Sequence, residues 1–365
     1  MKILLLACLV KNKSGNSYGG AEKSIVNLAN WLSDEGYNVT LASVEGKEKA
    51  FFINENVNFR GYNIQAGKRL YVHYQMYKNT QDVINKVKPD VIIGFWIHPM
   101  FYCLFNKFAR RAVKIYSERN DPKLEYGCIS KVLRWFVVRY SNGIVFQTEM
   151  AQKYFGKKIQ RKSRVIHNPV YISKDQYPIK KERDNRIVAV GRLNPQKNFE
   201  LLINAFNKVV DDCPNSVLEI YGEGPLHKSL QNQIDLLNLT EKVFLMGAHA
   251  NVLDRICGAR LFVMTSIYEG MPNALMEAMC LGIPVLSSDC PCGGPGELID
   301  NGINGYLFKI GDIETLAEKI RYIYNKSDME SIISNEQKIC ITHSTSSIFP
   351  KWIEYIKELL KEGGN

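Results

Sequence analysis

The feature that most constrains the fold is the alternation of short apolar runs with helix-forming segments along the whole chain. Such runs, bounded by turn residues, predict buried strands. Strands separated by helices form parallel sheets with right-handed crossovers. The pattern therefore predicts an α/β protein. Ten strands are predicted, at residues 2–9, 38–44, 90–97, 113–118, 143–147, 186–191, 216–221, 242–246, 260–265 and 283–287.

The length of the chain predicts two domains. Its 365 residues exceed the roughly 250–300 residues at which a single hydrophobic core stops growing. The alternation is interrupted by a polar stretch that contains Lys-Lys-Glu-Arg-Asp-Asn. We therefore predict an N-terminal domain at 1–172, a linker at 173–185 and a C-terminal domain at 186–345. A last helix near 347–361 carries an apolar stripe, which predicts that it docks against a domain.

Composition and cysteine usage favour a cytoplasmic protein that does not cross a membrane. No run approaches the roughly 20 apolar residues of a membrane span. The apolar segment 3–10 is short and is followed by Lys11 and Lys13, which predicts a first strand and not a signal peptide. The nine cysteines are odd in number and lack zinc-type spacing, which is typical of reduced thiols.

Two carboxylates follow the predicted strand 260–265. Glu269 lies in the loop after that strand, and Glu277 lies in the helix that follows Gly270-Met271-Pro272. Ligands of open α/β sheets bind beyond the carboxyl ends of the strands. Carboxylates there accept charge-assisted hydrogen bonds from sugar hydroxyls. A solvated surface position is the alternative for an isolated Glu pair.

With this pair the chain resembles, over nearly its whole length, the retaining glycosyltransferases called group 1 or family 4. Their signature is two Glu residues with seven residues between them. Three further landmarks match in order: Gly19-Gly20-Ala21-Glu22, Gly191-Arg192-Leu193-Asn194-Pro195-Gln196-Lys197-Asn198 and Gly293-Gly294-Pro295-Gly296-Glu297. The resemblance implies the GT-B fold, in which two Rossmann-like domains with parallel sheets face each other across a cleft. It also implies that the last helix, residues 346–365, packs back on the N-terminal domain.

The resemblance also implies roles for individual residues. Glu269 would face the hydroxyls of the donor sugar at the catalytic centre, and Glu277 would bind the ribose of the nucleotide. His98, after the predicted strand 90–97, would touch the sugar's outer hydroxyl near the reacting atoms. A structural or merely exposed histidine is the alternative for His98. The remaining residues expected to bind the donor are Gly19, Gly20, Gly191, Gly270, Met271, Pro272 and Asn273.

Arg192 and Lys197 are the cations expected at the donor diphosphate. They lie on either side of a strand-loop-helix junction, so they can converge on one diphosphate and stabilise the leaving group. Ordinary solvation is the alternative for two basic loop residues. The sequence has no Asp-x-Asp motif. We therefore expect no metal and no cofactor, with a nucleoside-diphosphate sugar as the substrate.

The loop after the predicted strand 113–118 is a candidate for contact with the acceptor. Glu118, Arg119 and Asn120 combine an acid, a base and an amide in one loop. Acceptor recognition and an internal charge balance between Glu118 and Arg119 are equally compatible with this pattern, because structural ion pairs also gather in such loops.

Positive charge is concentrated between residues 101 and 164. This segment holds 15 Lys or Arg and 4 Asp or Glu, an excess of 15 − 4 = 11 in a chain of net charge +10. Aromatic residues are interleaved with the basic ones, which favours an anionic membrane surface or a polyprenyl-diphosphate acceptor. Plain solubility is the alternative. No nucleic-acid-binding motif is present, so no nucleic acid is expected. The basic residues concerned are Lys107, Arg110, Arg111, Lys131, Arg134, Arg139, Lys157, Lys158, Arg161 and Lys162.

The sequence thus predicts a glycosyltransferase at the inner face of the cell membrane. It would move a hexose or N-acetylhexosamine, from a UDP-linked donor, to a hydroxyl of a lipid-linked or growing surface glycan such as lipopolysaccharide or capsule. Retention of configuration is implied by the resemblance alone. A GT-B sugar-nucleotide epimerase would instead convert the donor without an acceptor. A non-catalytic sugar-nucleotide binding protein would keep Arg192, Lys197 and Glu277 but show no turnover.

Overall fold

A computed structural model of the protein describes residues 1–9, 19–49, 51–119, 121–123, 127–172, 177 and 182–362. The chain forms two compact units. The first contains Met1–His167 and the C-terminal segment that begins at Ile348, and the second contains Asn168–Ser347. Each unit is built around one parallel sheet, which confirms the predicted α/β class.

The described strands form a seven-stranded sheet in the first unit and a six-stranded sheet in the second. Every pairing between these strands is parallel. The first sheet has the order β3-β2-β1-β4-β5-β6-β7 and the second β10-β9-β8-β11-β12-β13. The strands are β1 (Lys2–Cys8), β2 (Asn38–Glu45), β3 (Asn58–Gly61), β4 (Val91–Gly94), β5 (Val113–Ser117), β6 (Gly143–Phe146), β7 (Ser163–Val165), β8 (Arg186–Val190), β9 (Val217–Tyr221), β10 (Val243–Gly247), β11 (Leu261–Met264), β12 (Val285–Ser288) and β13 (Tyr306–Phe308).

Among the described residues, the helices before the last strand lie between strands, and five further helices follow that strand. In the first unit they are α1 (Gly20–Asp34), α2 (Arg69–Val87), α3 (Ile97–Cys103), α4 (Cys128–Tyr140), α5 (Glu149–Lys153) and α6 (Lys157–Arg161). In the second unit they are α7 (Phe199–Asn207), α8 (His227–Leu236), α9 (Val252–Ile256), α10 (Asn273–Cys280), α11 (Gly294–Leu298), α12 (Ile313–Asn325), α13 (Glu330–Glu336) and α14 (Ile339–Thr342). α15 (Thr345–Ile348) ends at the boundary, and α16 (Pro350–Glu362) belongs to the first unit. No helix in the described part of the chain has the length and hydropathy that a membrane span requires.

The order of both sheets creates an edge suited to ligands. Strand order reverses between β1 and β4 in the first sheet and between β8 and β11 in the second. At such a reversal the neighbouring crossovers leave in opposite directions, and the carboxyl ends of the strands are open to a ligand. In the second sheet β8, β11 and β12 are consecutive neighbours, so the loops that follow them meet at one edge.

The terminal helix α16 packs on the first unit through a specific fit. Its buried side includes Trp352, Tyr355 and Leu359. The Tyr355 hydroxyl accepts a hydrogen bond from the Ile144 amide at 3.0 Å and donates to the Lys162 carbonyl at 2.5 Å. A Cβ at Gly143 would lie 2.4 Å from Leu359 Cδ1. The absence of a side chain at the start of β6 therefore allows this helix to approach the sheet.

The predicted strand 90–97 is too long. β4 ends at Gly94, and α3 begins at Ile97, with Pro99 in its first turn where no intrahelical amide is needed. A Cβ at Gly94 would lie 2.5 Å from Met100 Sδ, so glycine lets α3 fold back over the strand. The continuous apolar run concealed this change of structure, because a buried helix and a buried strand can have similar composition.

Other sequence predictions differ from the structure in detail. β3, β7 and β13 were not predicted; each has three or four residues and lies at the edge of its sheet. The predicted last helix is divided into α15 and α16, with Pro350 as the first residue of α16. Most of the predicted linker, 173–176 and 178–181, lies outside the described residues. Within its described part, the Tyr177 hydroxyl donates to Asp254 at 2.7 Å in the second unit.

Candidate functional site

The candidate site of the second unit is formed by three loops at the carboxyl ends of neighbouring strands. Lys197 follows β8 and ends a short 3-10 helix, Pro195–Lys197. Glu269 follows β11, and the glycine-rich segment 293–296 follows β12. The fold therefore brings together residues that are about 70 to 100 positions apart in sequence, as the spacing of motifs after strands predicts.

Glu269 is a nearly buried carboxylate with two strong donors. Its side chain is within hydrogen-bonding distance of the Lys197 ammonium, and the two form an ion pair. The Ser266 hydroxyl donates to the same oxygen, Oε1, at 2.7 Å. Ser266 is itself fully buried, and its carbonyl accepts a hydrogen bond from the Ser288 hydroxyl at 2.6 Å. These contacts fix the orientation of the Glu269 carboxylate.

The backbone of Glu269 is held by the loop after β12. Its amide donates to the Pro291 carbonyl at 2.7 Å, and its carbonyl accepts from the Cys292 amide at 2.8 Å. A Cβ at Gly294 would lie 1.7 Å from the Gly270 carbonyl oxygen. Only glycine at 294 permits this approach, so the motif Gly-Gly-Pro-Gly supports the position of the loop that carries Glu269.

Gln196 joins the loop of Lys197 to the loop of Glu269. Its side-chain amide donates to the Tyr268 carbonyl at 2.9 Å, and its own carbonyl accepts from the Ile267 amide at 2.8 Å. The Thr265 hydroxyl donates to the Lys197 carbonyl at 2.9 Å. These contacts lie directly beside Lys197 and Glu269, and they hold the two loops in a fixed position relative to each other.

The Lys197 side chain runs along the backbone of Gly191. A Cβ at Gly191 would lie 3.1 Å from both Cδ and Cε of Lys197. Arg192, the next residue, is exposed. The structure thus directs Lys197 toward Glu269 and leaves Arg192 at the surface after β8.

The loop 270–273 and Glu277 lead into α10. Met271 is buried, and Pro272 is the N-cap residue directly before the first helical residue, Asn273. Asn168 donates from its side-chain amide to the Met271 carbonyl at 3.1 Å and to Asn273 Oδ1 at 2.9 Å. Glu277 is half-buried and is the fifth residue of α10.

The sequence missed four polar residues that build this site: Ser266, Ser288, Gln196 and Thr265. All lie within three residues of the carboxyl end of a strand or of a predicted site residue. Polar side chains at the ends of otherwise apolar strands are the signal that points to them, because a buried hydroxyl must find a hydrogen-bond partner.

The glycine motif of the first unit lies at the start of α1. Gly19 is the N-cap residue, with φ −89° and ψ 177°, and Gly20 is the first helical residue. A Cβ at Gly19 would lie 2.7 Å from Glu22 Oε2. Residues 10–18, which precede the motif, lie outside the described residues.

His98 is paired with a second histidine that the sequence did not single out. It is the second residue of α3, and its ring centroid lies 4.7 Å from that of His73 on α2. The Tyr102 hydroxyl is hydrogen-bonded to His73 Nδ1 at 2.9 Å. Burial lowers the pKa of His98, and the neighbouring His73 and Arg69 lower it further. The neutral imidazole is therefore favoured at neutral pH.

The described residues of the predicted acceptor loop contact other residues of the first unit. Glu118 is 1% exposed, and its Oε2 lies 3.8 Å from the Arg134 guanidinium. The Arg119 guanidinium lies 3.5 Å from the centroid of the Phe95 ring. Asn120 lies outside the described residues. A structural role accounts for these contacts of Glu118, with Arg134 among its partners.

The described residues contain no group of three or more His, Cys, Asp or Glu arranged to hold a metal ion. Near Glu269 the Cys290 thiol is buried, and burial together with the Glu269 charge raises its pKa to about 12. Such a thiol stays protonated at neutral pH and is a poor nucleophile or metal ligand.

Comparisons with known families agree with this geometry. Residues 18–174 match the family described as Glycosyltransferase Family 4, and residues 173–339 match the family described as Glycosyl transferases group 1. The two matches join near the boundary between the two units and together extend over most of the chain.

Individual relatives are glycosyltransferases. An uncharacterized glycosyltransferase of Methanocaldococcus jannaschii is 30% identical over 270 residues, which is 66% of this chain and 63% of that relative. A Campylobacter jejuni protein is 23% identical over 93% of this chain and 96% of its own length. Its name describes an alpha-1,4-N-acetyl-D-galactosaminyltransferase for a glycan on diNAcBac-PP-undecaprenol.

A solved structure shows the same fold. Anabaena HepE, in a complex with UDP and glucose, superposes with a TM-score of 0.80 at 19% identity, over 98% of this chain and 100% of that one. This likeness confirms the expected GT-B class of fold, in which each unit contains one parallel sheet.

Proposed function

This chain belongs to the group 1 and family 4 glycosyltransferases, and we propose that it moves a hexose or N-acetylhexosamine from a nucleoside-diphosphate sugar to a glycan hydroxyl. The observation that carries the proposal is the meeting of Lys197 and Glu269, which the loops after β8, β11 and β12 hold together. A cation for a diphosphate and a carboxylate for sugar hydroxyls thus lie side by side. That is the chemistry needed where a sugar is linked to a diphosphate.

In this proposal Lys197 and Arg192 stabilise the charge that develops on the departing diphosphate. The Lys197 side chain is 17% exposed, so it is only partly covered while it binds Glu269. A diphosphate gives it a second anionic partner. Arg192, exposed five positions earlier, supplies a planar guanidinium suited to bidentate contact with phosphate oxygens. Preorganised cations at a leaving group lower the barrier because they need little reorganisation.

Glu269 and Glu277 bind the two hydroxyl-bearing parts of the donor in this proposal, the sugar and the ribose. Gly191, Gly270 and Asn273 line the same edge of the sheet. His98, Gly19 and Gly20 are also proposed to bind the donor, with a neutral His98 imidazole at the sugar. We further propose that transfer retains the configuration of the sugar.

We propose UDP as the nucleotide and a lipid-linked or growing surface glycan as the acceptor. HepE, which shares the fold, binds UDP and glucose, and the Campylobacter relative is named for an undecaprenol-linked glycan. The basic segment 101–164 suits an acceptor that carries a diphosphate at an anionic membrane. The proposal places the enzyme on the inner face of the cell membrane.

The first test is the release of nucleoside diphosphate from a panel of UDP-, GDP- and ADP-sugars, with and without a membrane lipid extract. We expect release from a UDP-sugar that increases when lipid is added. Glu269→Gln should lower kcat by about 10²-fold, the size of effect seen when one electrostatic contact is lost. Glu200→Gln, at an exposed position in the first turn of α7, just after the Lys197 loop, is the control and should leave kcat unchanged.

The same assay separates the alternatives. Donor binding without release, in the presence of lipid, would identify a non-catalytic binding protein. Conversion of the donor sugar without an acceptor would identify an epimerase. Metal independence is tested by adding EDTA: unchanged release supports the proposal that Arg192 and Lys197 stabilise the diphosphate without a divalent ion, and a loss restored by Mg²⁺ overturns it.

A further inference from the structure

Helix α4 of the first unit has an apolar side that faces solvent. Five large side chains on this helix are exposed: Ile129 by 69%, Val132 by 56%, Trp135 by 59%, Phe136 by 37% and Tyr140 by 54%. Their spacing of three and four residues places them on one side of the helix. A soluble helix normally buries such a stripe, so its exposure calls for a partner surface.

The exposed side continues onto the neighbouring helix α3. The rings of Phe136 and Phe101 are 6.0 Å apart, and the rings of Phe101 and Phe105 are 5.2 Å apart. Phe105 is itself 58% exposed. Trp135 packs edge-on against Phe136 at 4.9 Å. We call this continuous set, from Phe105 through Phe101 and Phe136 to the exposed residues of α4, the aromatic face.

The charged residues of the two chain segments that contain α3 and α4 are all basic. Residues 91–117 and 127–148 contain no Asp or Glu. The exposed basic side chains of these segments are Lys107, Arg110, Arg111, Lys131 and Arg139. The face therefore combines exposed aromatic rings with basic groups and no acidic ones.

Two of the basic residues that the sequence analysis grouped with this surface are turned toward the protein instead. Arg134 is buried and donates to the Pro122 carbonyl at 2.5 Å. Lys162 donates to the carbonyls of Arg139 at 3.1 Å and Ser141 at 2.6 Å. Burial, together with the charges of Arg139 and Lys158, lowers the pKa of Lys162 to about 8. The sequence prediction was wrong for these two residues: Arg134 binds the segment before α4, and Lys162 binds carbonyls at its end.

We propose that the aromatic face binds an anionic lipid bilayer, with α4 lying in the plane of the membrane surface. Apolar side chains on one side of such a helix enter the boundary between headgroups and acyl chains, and Trp and Tyr prefer that depth. The basic groups bind anionic headgroups. A second copy of the chain is a poorer occupant, because pairing two such faces brings the exposed cations of α4, Lys131 and Arg139, near those of the other copy.

This inference extends the proposed function, in which the acceptor is lipid-linked, but its test uses neither donor nor acceptor. Binding of the full chain to phosphatidylcholine vesicles is compared with binding to vesicles that contain phosphatidylglycerol. We expect binding to the anionic vesicles that weakens with salt. Lys131→Gln with Arg139→Gln should lower the partition coefficient about 30-fold, since each basic group near an anionic surface contributes about fivefold.

The apolar contribution is tested with the triple variant Ile129→Gln, Val132→Gln, Trp135→Gln, which should lose vesicle binding. The matched control is Leu236→Gln, Ile303→Gln, Ile341→Gln, which changes three comparably exposed apolar residues of the second unit and should bind as the unchanged protein does. Brominated lipids should quench the fluorescence of the unchanged protein but quench Trp135→Phe much less.

Two outcomes would overturn the inference. Equal vesicle binding by the triple variant and the unchanged protein would show that the aromatic face is not the contact. The unchanged protein could instead form a dimer in light scattering and fail to bind vesicles. If the triple variant then loses that dimer and the control variant keeps it, the aromatic face binds a second copy of the chain. Because these readouts are independent of sugar transfer, failure here leaves the proposed enzymatic function untouched, and failure of transfer leaves vesicle binding untouched.

Discussion

Glu269 and Lys197 lie 72 positions apart in sequence, and each is held by the residues beside it. Ser266 donates to the Glu269 carboxylate, and Gln196 bonds the backbone of the opposing loop. A buried carboxylate needs such partners, because an incompletely bonded charge is costly in a low-dielectric environment. The geometry of the proposed donor site therefore depends on residues that need not touch the donor.

Ser266→Ala should lower kcat about tenfold, because Glu269 loses a donor that fixes its orientation. The cost in stability should be about 1 kcal/mol, the usual contribution of one hydrogen bond. Ser216→Ala is the matched control, since Ser216 is also fully buried and donates to one carbonyl, that of Cys213 at 2.7 Å. Equal kcat values for the Ser266 and Ser216 variants, measured by UDP release, would contradict a positioning role for Ser266.

His73→Phe should move the acid limb of the pH-rate profile to higher pH. His73 lowers the pKa of His98, so removing its imidazole raises that pKa, and His98 then becomes protonated at a higher pH. Phe preserves much of the ring packing at 4.7 Å. The measurement is kcat/KM for the donor between pH 5 and 8, with Tyr74→Phe on the exposed side of the same helix as control. An unchanged acid limb would exclude His98 as the titrating group that limits turnover.

At the scale of elements, the glycines of both units allow helices and loops to approach strands closely. Gly94 lets α3 fold over β4, and Gly143 admits α16 against β6. In the second unit Gly294 admits the loop that carries Glu269. These three residues act through packing, because a Cβ at each position would overlap a neighbouring atom.

Gly294→Ala should displace the Glu269 loop and lower kcat by about 10²-fold, as expected for a shift of about 1 Å in a catalytic group. It should also destabilise the unit by about 1–3 kcal/mol, the typical cost of overpacking. Gly296→Ala is the control: its Cβ would meet only the flexible Asp289 carboxylate, at 3.1 Å. Both variants are compared by thermal unfolding and UDP release. Normal kcat in a folded Gly294→Ala variant would show that the loop position is less constrained than the structure indicates.

At the scale of the whole molecule, stability should depend on a buried carboxyl group distant from the proposed donor site. Glu336, at the end of α13, is fully buried. Its Oε1 accepts from the Val285 amide at 3.0 Å, and among the described residues Oε2 has no hydrogen-bond partner. Burial raises the pKa of Glu336 well above its ordinary value, and the Val285 bond and Arg183 only partly oppose this.

The folded state therefore binds this proton more tightly than the unfolded chain does. The contribution of the protonated Glu336 carboxyl to stability is complete below the pKa of this group in the unfolded chain, near 4.5. It is lost as the pH rises through the pKa of Glu336 in the folded state. Glu336→Gln stays neutral, so its Tm should exceed that of the unchanged protein at pH 8 by about 2 °C or more and differ little at pH 4.5.

The control for this prediction is Glu330→Gln, at an exposed position of the same helix. Its Tm difference from the unchanged protein should not depend on pH in this range. A Tm difference for Glu336→Gln that is the same at pH 4.5 and pH 8 would show that Glu336 does not couple protonation to folding.

The sequence by itself determined the class of fold and the strands that form the two sheet centres. Strands such as β1 and β11 are buried on both faces, so their apolar composition is sufficient to identify them. The sequence also placed the expected donor residues in the loops after strands, because in an α/β chain each motif follows the apolar run of its own strand. Short edge strands, and the end of β4 within an apolar run, gave no distinct local signal.

The tertiary structure decided which side chains meet. Local pattern could not show that Lys197 turns to Glu269, that His73 packs against His98, or that Arg134 points inward while the apolar side of α4 faces solvent. Each outcome depends on contacts between residues distant in sequence, which are set by strand order and by the space available at particular glycines. Periodicity reports which residues share one side of an element, whereas packing decides whether that side is covered.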